Sequence, residues 1–112
     1  MSYDYSLFRS PGSGPMSSWK AVPPAPLGTL EDVRSQLSEL YPEATWERSR
    51  GSYFGWSKRS AEDACEFQLT PDEDGLCRFV TVRRITRESL MGLCRALDVI
   101  AVDAQKGELI RP

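Results

Sequence analysis

The sequence predicts an α+β two-layer sandwich: a mostly antiparallel sheet with two helices on one face. Three observations predict it. Several short stretches carry apolar residues at every second position, the period of a half-buried strand. Two longer stretches repeat apolar residues at helical spacing, each directly behind a threonine able to cap a helix. Every one of these elements has a single apolar face, and helices laid on one side of a sheet bury all such faces together. At 112 residues the chain is read as one domain, 1–112, large enough to fold around a single core.

Residues 3–8 open the sheet, with Tyr3, Tyr5 and Leu7 on one face and Asp4, Ser6 and Phe8 on the other. A Pro/Gly/Ser-rich loop follows at 10–28, ending in Pro23-Pro24-Ala25-Pro26. Its prolines forbid a central strand and favour extended polyproline geometry. A loop this long in a small domain is commonly functional or disordered. Trp19 and Val22 either pin it to the body, or Trp19 is the tip of a contact arm.

Thr29 caps the first helix, with Asp32 placed to complete a weaker capping box. Leu30, Val33, Leu37, Leu40 and Tyr41 form its apolar stripe, and Pro42 stops it. Residues 44–58 read as strand up to a break at Arg50-Gly51-Ser52 and strand again through Trp56. Trp46 and Phe54 are the expected core aromatics there. Lys58 to Ala64 is polar and reads as a turn. Cys65, Phe67 and Leu69 alternate with Glu66, Gln68 and Thr70 as the next strand. Pro71-Asp72-Glu73-Asp74-Gly75 is a strong turn, so Leu76 to Ile85 is the return strand, with Val80 and Val82 buried.

Thr86 caps the second helix, whose stripe is Leu90, Leu93, Cys94 and Leu97. Gly92 within it costs roughly 1 kcal/mol against alanine, which implies either a close packing contact or a weak turn. Ile100, Val102 and Ala104 alternate as the last strand, and Gln105-Lys106-Gly107 turns the chain into a short return at Glu108-Leu109-Ile110. The expected order is β-α-β-β-β-α-β, with three strands between the helices.

Composition narrows the function classes. Formal net charge is −2, whereas phosphate binding favours a dense positive face, so nucleic acid is not an expected partner. No apolar run approaches the ~20 residues that span a bilayer, and the N-terminal residues lack signal-peptide character. A cytoplasmic protein without membrane contact is therefore expected. Cys65, Cys77 and Cys94 are widely spaced and odd in number, as expected for small buried side chains.

The common catalytic sets are missing. With no histidine in the chain, neither a serine nor a cysteine has its usual base. No cysteine pair stands at metal-ligand spacing, no glycine-rich phosphate loop is present, and Asp72-Glu73-Asp74-Gly75 lacks the alternation of a calcium loop. No catalytic residue, cofactor or metal is expected, and the chain is not expected to be an enzyme. Asp4 and Asp103 interrupt strand patterns; a polar face or a turn hydrogen bond accounts for both. Arg78, Arg83, Arg84 and Arg87 lie close in sequence, and with Phe67 and Phe79 they imitate a basic, aromatic RNA-binding sheet. A solvated strand face is the simpler account. Aromatic residues crowd 41–56: Tyr41, Trp46, Tyr53, Phe54 and Trp56, with Arg48 and Arg50 among them. Trp, Tyr and Arg dominate protein-binding hot spots, and glycines flanking aromatics in a strand suit a close approach.

Ser2-Tyr3-Asp4 at the start, Leu27-Gly28-Thr29 before the first helix, Tyr41-Pro42 with Trp46 after it, and Asp103 to Leu109 with Gly107-Glu108 form an ordered set. With Leu93-Cys94-Arg95-Ala96-Leu97, this set resembles a family of small bacterial immunity-type proteins, encoded beside secreted antibacterial toxins such as type VI secretion effectors. The resemblance covers most of the chain except 10–26. It implies a protein that binds one cognate toxin, in a one-to-one complex, and occludes its active site. An acidic loop would then sit in a basic cleft in place of phosphate, with aromatics supplying affinity. The candidate interface residues are Trp19, Tyr53, Trp56, Glu62, Asp63, Asp72, Glu73 and Asp74. The alternative is a small ligand-binding or regulatory α+β domain with no toxin partner.

Overall fold

The computed structural model describes residues 4–9, 25–58, 64–103 and 105–110. Tyr3, most of the proline-rich loop with Trp19 and Val22, the pair Glu62 and Asp63, and Ala104 lie outside the described residues. The elements are β1 (Asp4–Phe8), β2 (Gly28–Thr29), α1 (Leu30–Leu40), β3 (Thr45–Ser49), β4 (Ser52–Lys58) and β5 (Ala64–Leu69). They continue as β6 (Leu76–Cys77), β7 (Phe79–Arg83), α2 (Arg87–Leu97), β8 (Ile100–Asp103) and β9 (Leu109–Ile110).

The architecture is the expected α+β one. Seven strands form one sheet in the order β3-β4-β5-β7-β1-β8-β9, and each neighbouring pair is antiparallel. The N-terminal strand sits inside the sheet, between β7 and β8, so Tyr5 and Leu7 are core residues. A second, two-stranded sheet pairs β2 with β6. Both helices pack on the same face. Val33 and Leu37 of α1 and Leu90, Leu93 and Cys94 of α2 join one buried cluster with Tyr5, Leu7, Phe67, Leu69, Val80 and Val82. Burying each large member contributes about 1.5–3 kcal/mol.

Local chemistry explains where elements begin and end. The Thr29 and Thr86 hydroxyls accept the amide protons of Asp32 and Ser89, at 3.1 and 3.2 Å, contacts worth about 1 kcal/mol each. Tyr41 closes α1, its amide donating to the Leu37 carbonyl, just before Pro42. At the end of α2, Asp98 turns left-handed (φ 55°), and the Val99 amide returns to the Cys94 carbonyl at 3.0 Å.

Four expectations change. The break at 50–51 is a hairpin turn: Arg50 and Gly51 both have positive φ (52° and 81°), the two-residue geometry that joins twisted antiparallel strands. Four strands of the main sheet therefore lie between the helices, not three. The return strand divides, because Leu76 and Cys77 pair with β2 while β7 starts at Phe79 and ends at Arg83 before the left-handed Arg84 (φ 60°). Phe54 leaves the core, since Gly55 takes the helix-facing position and Phe54 is half-buried on the opposite side. The last strand does not alternate: Ile100, Ala101, Val102 and Asp103 are all buried.

Candidate functional site

Strand β4, Ser-Tyr-Phe-Gly-Trp-Ser-Lys, divides the aromatic cluster by parity. Side chains alternate across a sheet, so Tyr53 faces the helices and Trp56 faces away. The two candidates belong to different surfaces.

On the helix side, Trp46 lies across Gly55 of the neighbouring strand. A Cβ built on Gly55 would stand 2.7–2.9 Å from three Trp46 ring carbons. Trp46 stacks on Phe67 (centroids 6.0 Å apart, 17° between planes) and meets the edge of Tyr53 at 6.5 Å. Tyr41 packs on Phe67 from the end of α1 at 5.1 Å. The close approach suggested by the glycines is thus internal. The Tyr53 hydroxyl donates to Glu31 of α1, which also accepts from Arg34 at 3.0 Å. The guanidinium carbons of Arg34 and Arg48 lie 5.2 and 5.7 Å from the Tyr53 ring centre. The Tyr53 hydrogen bond, then the Arg34 one, hold the Glu31 carboxyl below its ordinary range. The same contact, with some burial, pushes the Tyr53 hydroxyl up. Tyr53 ties α1 to the β3–β4 hairpin.

The opposite face has a different character. Register places Thr45, Trp56, Glu66, Arg83 and Asp4 in one row across five strands. The next row holds Glu47, Phe54, Gln68, Thr81, Ser6 and Val102. Phe79 and Phe8 stand further along, with ring centres 5.6 Å apart. Among the described residues no helix covers the β4–β5–β7 part of this face. Toward β8 it closes, where Ile100 and Val102 are 4% and 8% exposed. Among the described large apolar side chains, Trp56 alone is exposed, at 41%. It stands between two shallow hollows. One is lined by Phe54, Glu66, Gln68, Thr81 and Arg83, the other by Lys58, Ala64, Glu66 and Arg84. Arg83 reaches Asp4 at 3.5 Å and Gln68 at 3.4 Å. Neither Lys58 nor Arg84 makes an ion pair among the described residues.

The acidic turn is a third, separate place. Arg78 reaches back to bond Asp72 and, at 2.9 Å, Asp74. Asp74 also accepts the Leu76 amide at 3.1 Å. All three carboxylates are exposed, but two are engaged by Arg78, leaving Glu73 without an ion pair among the described residues. Glu66, level with Trp56, is three residues from the end of β5, so strand rise alone separates Trp56 from this turn by ~10 Å before it begins. Trp56 therefore converges neither with Tyr53, which faces the other side of the sheet, nor with the acidic turn. Trp19, Glu62 and Asp63 lie outside the described residues.

The remaining groups have structural explanations. Asp103 is buried, and its Oδ1 accepts the Gln105 and Lys106 amide protons at 2.9 and 3.1 Å, shaping the β8–β9 turn. Gly107 completes that turn at φ 67°, its amide donating to the Asp103 carbonyl. Asp4 pairs with Arg83 on the open face. All three cysteines are buried and unbridged; burial raises the Cys77 thiol, and raises Cys94 to about 11. The arginines do not gather: Arg78 closes the acidic turn, Arg83 lies on the open face, Arg84 follows β7 and Arg87 starts α2. Among the described residues, no group of three or more Cys, Asp or Glu is placed to hold a metal ion, and no helix is long and apolar enough to cross a membrane.

Set against models of known families, against curated proteins and against solved structures, the chain matches none.

The candidate surface adds Lys58, Glu66, Arg83 and Arg84 to Trp56, four residues that sequence reasoning did not group. Parity was the available signal. Once Gly55 faces the core, Trp56 and Lys58 must share the outer face, and Glu66 follows from the alternation of β5.

Proposed function

We propose that this chain is an immunity-type protein that binds a cognate toxin one-to-one and blocks its active site. The observation that carries the reading is the open half of the sheet: an exposed tryptophan among half-buried aromatic and polar residues, on a seven-stranded antiparallel platform. Tryptophan and arginine on a preformed surface are the residue types that concentrate binding energy. A sheet already held by antiparallel neighbours loses little freedom on docking. The ordered resemblance supports the same reading, and its pieces have structural work in this chain: Thr29 caps α1, Trp46 fills the space over Gly55, and Asp103 with Gly107 forms the final turn.

The test is growth rescue. Cells producing the product of the gene next to its own are expected to survive when this chain is co-produced and to arrest without it. Arrest in both cultures, with the chain present at levels matching its partner, would remove the proposal.

A further inference from the structure

We infer that the corner of the open face around Trp56 is the partner-contact surface, and that it receives a protein segment carrying a carboxylate beside an apolar side chain. The inference rests on the binding role proposed above and gives that role its polarity. The starting point is a mismatch between global and local charge. The chain as a whole carries −2. Yet the exposed indole is flanked by Lys58 on its own strand and by Arg84 after β7, neither neutralised among the described residues. Arg83 is balanced by Asp4, which leaves Glu66 as the facing acid. Among the described residues, two unengaged cations thus stand against one carboxylate beside the exposed indole.

Each part of the corner has a matching chemistry. The indole offers a flat apolar surface to an aliphatic or aromatic side chain. Lys58 and Arg84, on either side of the Ala64–Glu66 hollow, suit a carboxylate, and arginine binds one in a fork. The acidic turn is poorly suited to lead the contact: Arg78 already occupies Asp72 and Asp74, so a basic cleft would have to displace an existing fork. This reverses the polarity drawn from the resemblance, in which acidic side chains enter a basic cleft. The acidic turn of a second copy offers only Glu73 to the two cations, since Asp72 and Asp74 are engaged, and pairing of two copies is one outcome of the test.

The first arm needs no toxin. The 15N-labelled protein is titrated with a capped pentapeptide of leucine flanked by glutamates, and in parallel with its lysine analogue. The Trp56 indole signal is assigned by loss in Trp56→Phe. The glutamate peptide is expected to shift the Trp56 indole and the Lys58 and Arg84 amides saturably, with Kd on the order of 1 mM, and the lysine peptide to leave them in place. In Lys58→Glu/Arg84→Glu the shifts vanish. Equal shifts with both peptides, no shift, or shifts centred on the acidic turn overturn the inference. So does concentration-dependent dimerisation that Trp56→Ala abolishes, since the occupant would then be a second copy.

The second arm uses the product of the adjacent gene. Trp56→Ala is expected to weaken the complex ~30-fold. The double charge reversal slows association ~10-fold at low salt, while Asp72→Asn/Glu73→Gln/Asp74→Asn changes binding by less than ~3-fold. A wild-type complex indifferent to Trp56→Ala and to charge reversal sinks the surface and leaves the function standing. Peptide shifts as described with no wild-type complex do the opposite.

Discussion

Gly55→Ala tests the packing that sets the faces of β4. The added Cβ would stand 2.7–2.9 Å from Trp46 carbons, where ordinary contacts begin near 3.4 Å. The ring has to retreat by about 0.6 Å, and it is held between Phe67 and the edge of Tyr53. Overpacking of this kind costs about 1–3 kcal/mol. Loss of the aromatic contacts adds ~0.5–1.5 kcal/mol. The lower entropy of the unfolded alanine chain returns ~0.5–1 kcal/mol. The net expectation is a loss of about 2 kcal/mol, or roughly 8 °C in Tm for a domain of this size. Urea unfolding followed by circular dichroism measures it. A double-mutant cycle with Trp46→Ala isolates the cause, because the alanine at position 55 should become neutral or mildly stabilising once the ring is gone. Equal destabilisation in both backgrounds, or none in the wild type, would refute the reasoning.

Further expectations follow from the same structure. Gly92→Ala should stabilise by ~0.5–1 kcal/mol, read in the same urea assay, because nothing lies within 4 Å of a Cβ there and the glycine is a weak turn. Asp103→Ala should lose about 1–3 kcal/mol by orphaning two turn amides, with Asp103→Asn retaining more stability. Glu31 titrates below its ordinary value of 4.5 when folded, so its contact with Tyr53 stabilises above that pH and is lost as pH falls through the depressed folded value. Glu31→Gln should therefore flatten the acid limb of a stability–pH profile. The three thiols should resist a disulfide-exchange reagent at neutral pH in the native state and react fully in urea, since burial raises Cys77 and Cys94 and the nucleophile is the thiolate.

The readable parts of the fold were those with local periodicity. Tyr5 and Leu7, Phe67 and Leu69, Val80 and Val82 all lie in the core where alternation put them, and both threonine caps hold. The two-residue strands β2 and β6 are too short to carry a period. Strand β8 is buried on both faces, which erases alternation as a signal. Phe54 and Trp56 share a parity, so their common face depended on whether Gly55 was an inward gap or an outward one. Only the Trp46 ring, nine residues back on the neighbouring strand, decides it. The engagement of Tyr53 by Glu31, 22 residues apart, has no local signature. For the candidate surface, composition indicated Trp56, but its cationic neighbours emerged only from register. The acidic turn was conspicuous in the sequence because its charges are consecutive, while the arginine that occupies two of them lies beyond the turn.

The immunity role proposed above requires that the chain act by occupancy and make no covalent change in its partner. Titrating it into the purified product of the adjacent gene, with binding heat and toxin activity followed together, tests that directly. Activity is expected to fall in proportion to the bound fraction and to reach its floor at one equivalent. Absence of binding heat, or complete inactivation by a small fraction of an equivalent, would contradict it.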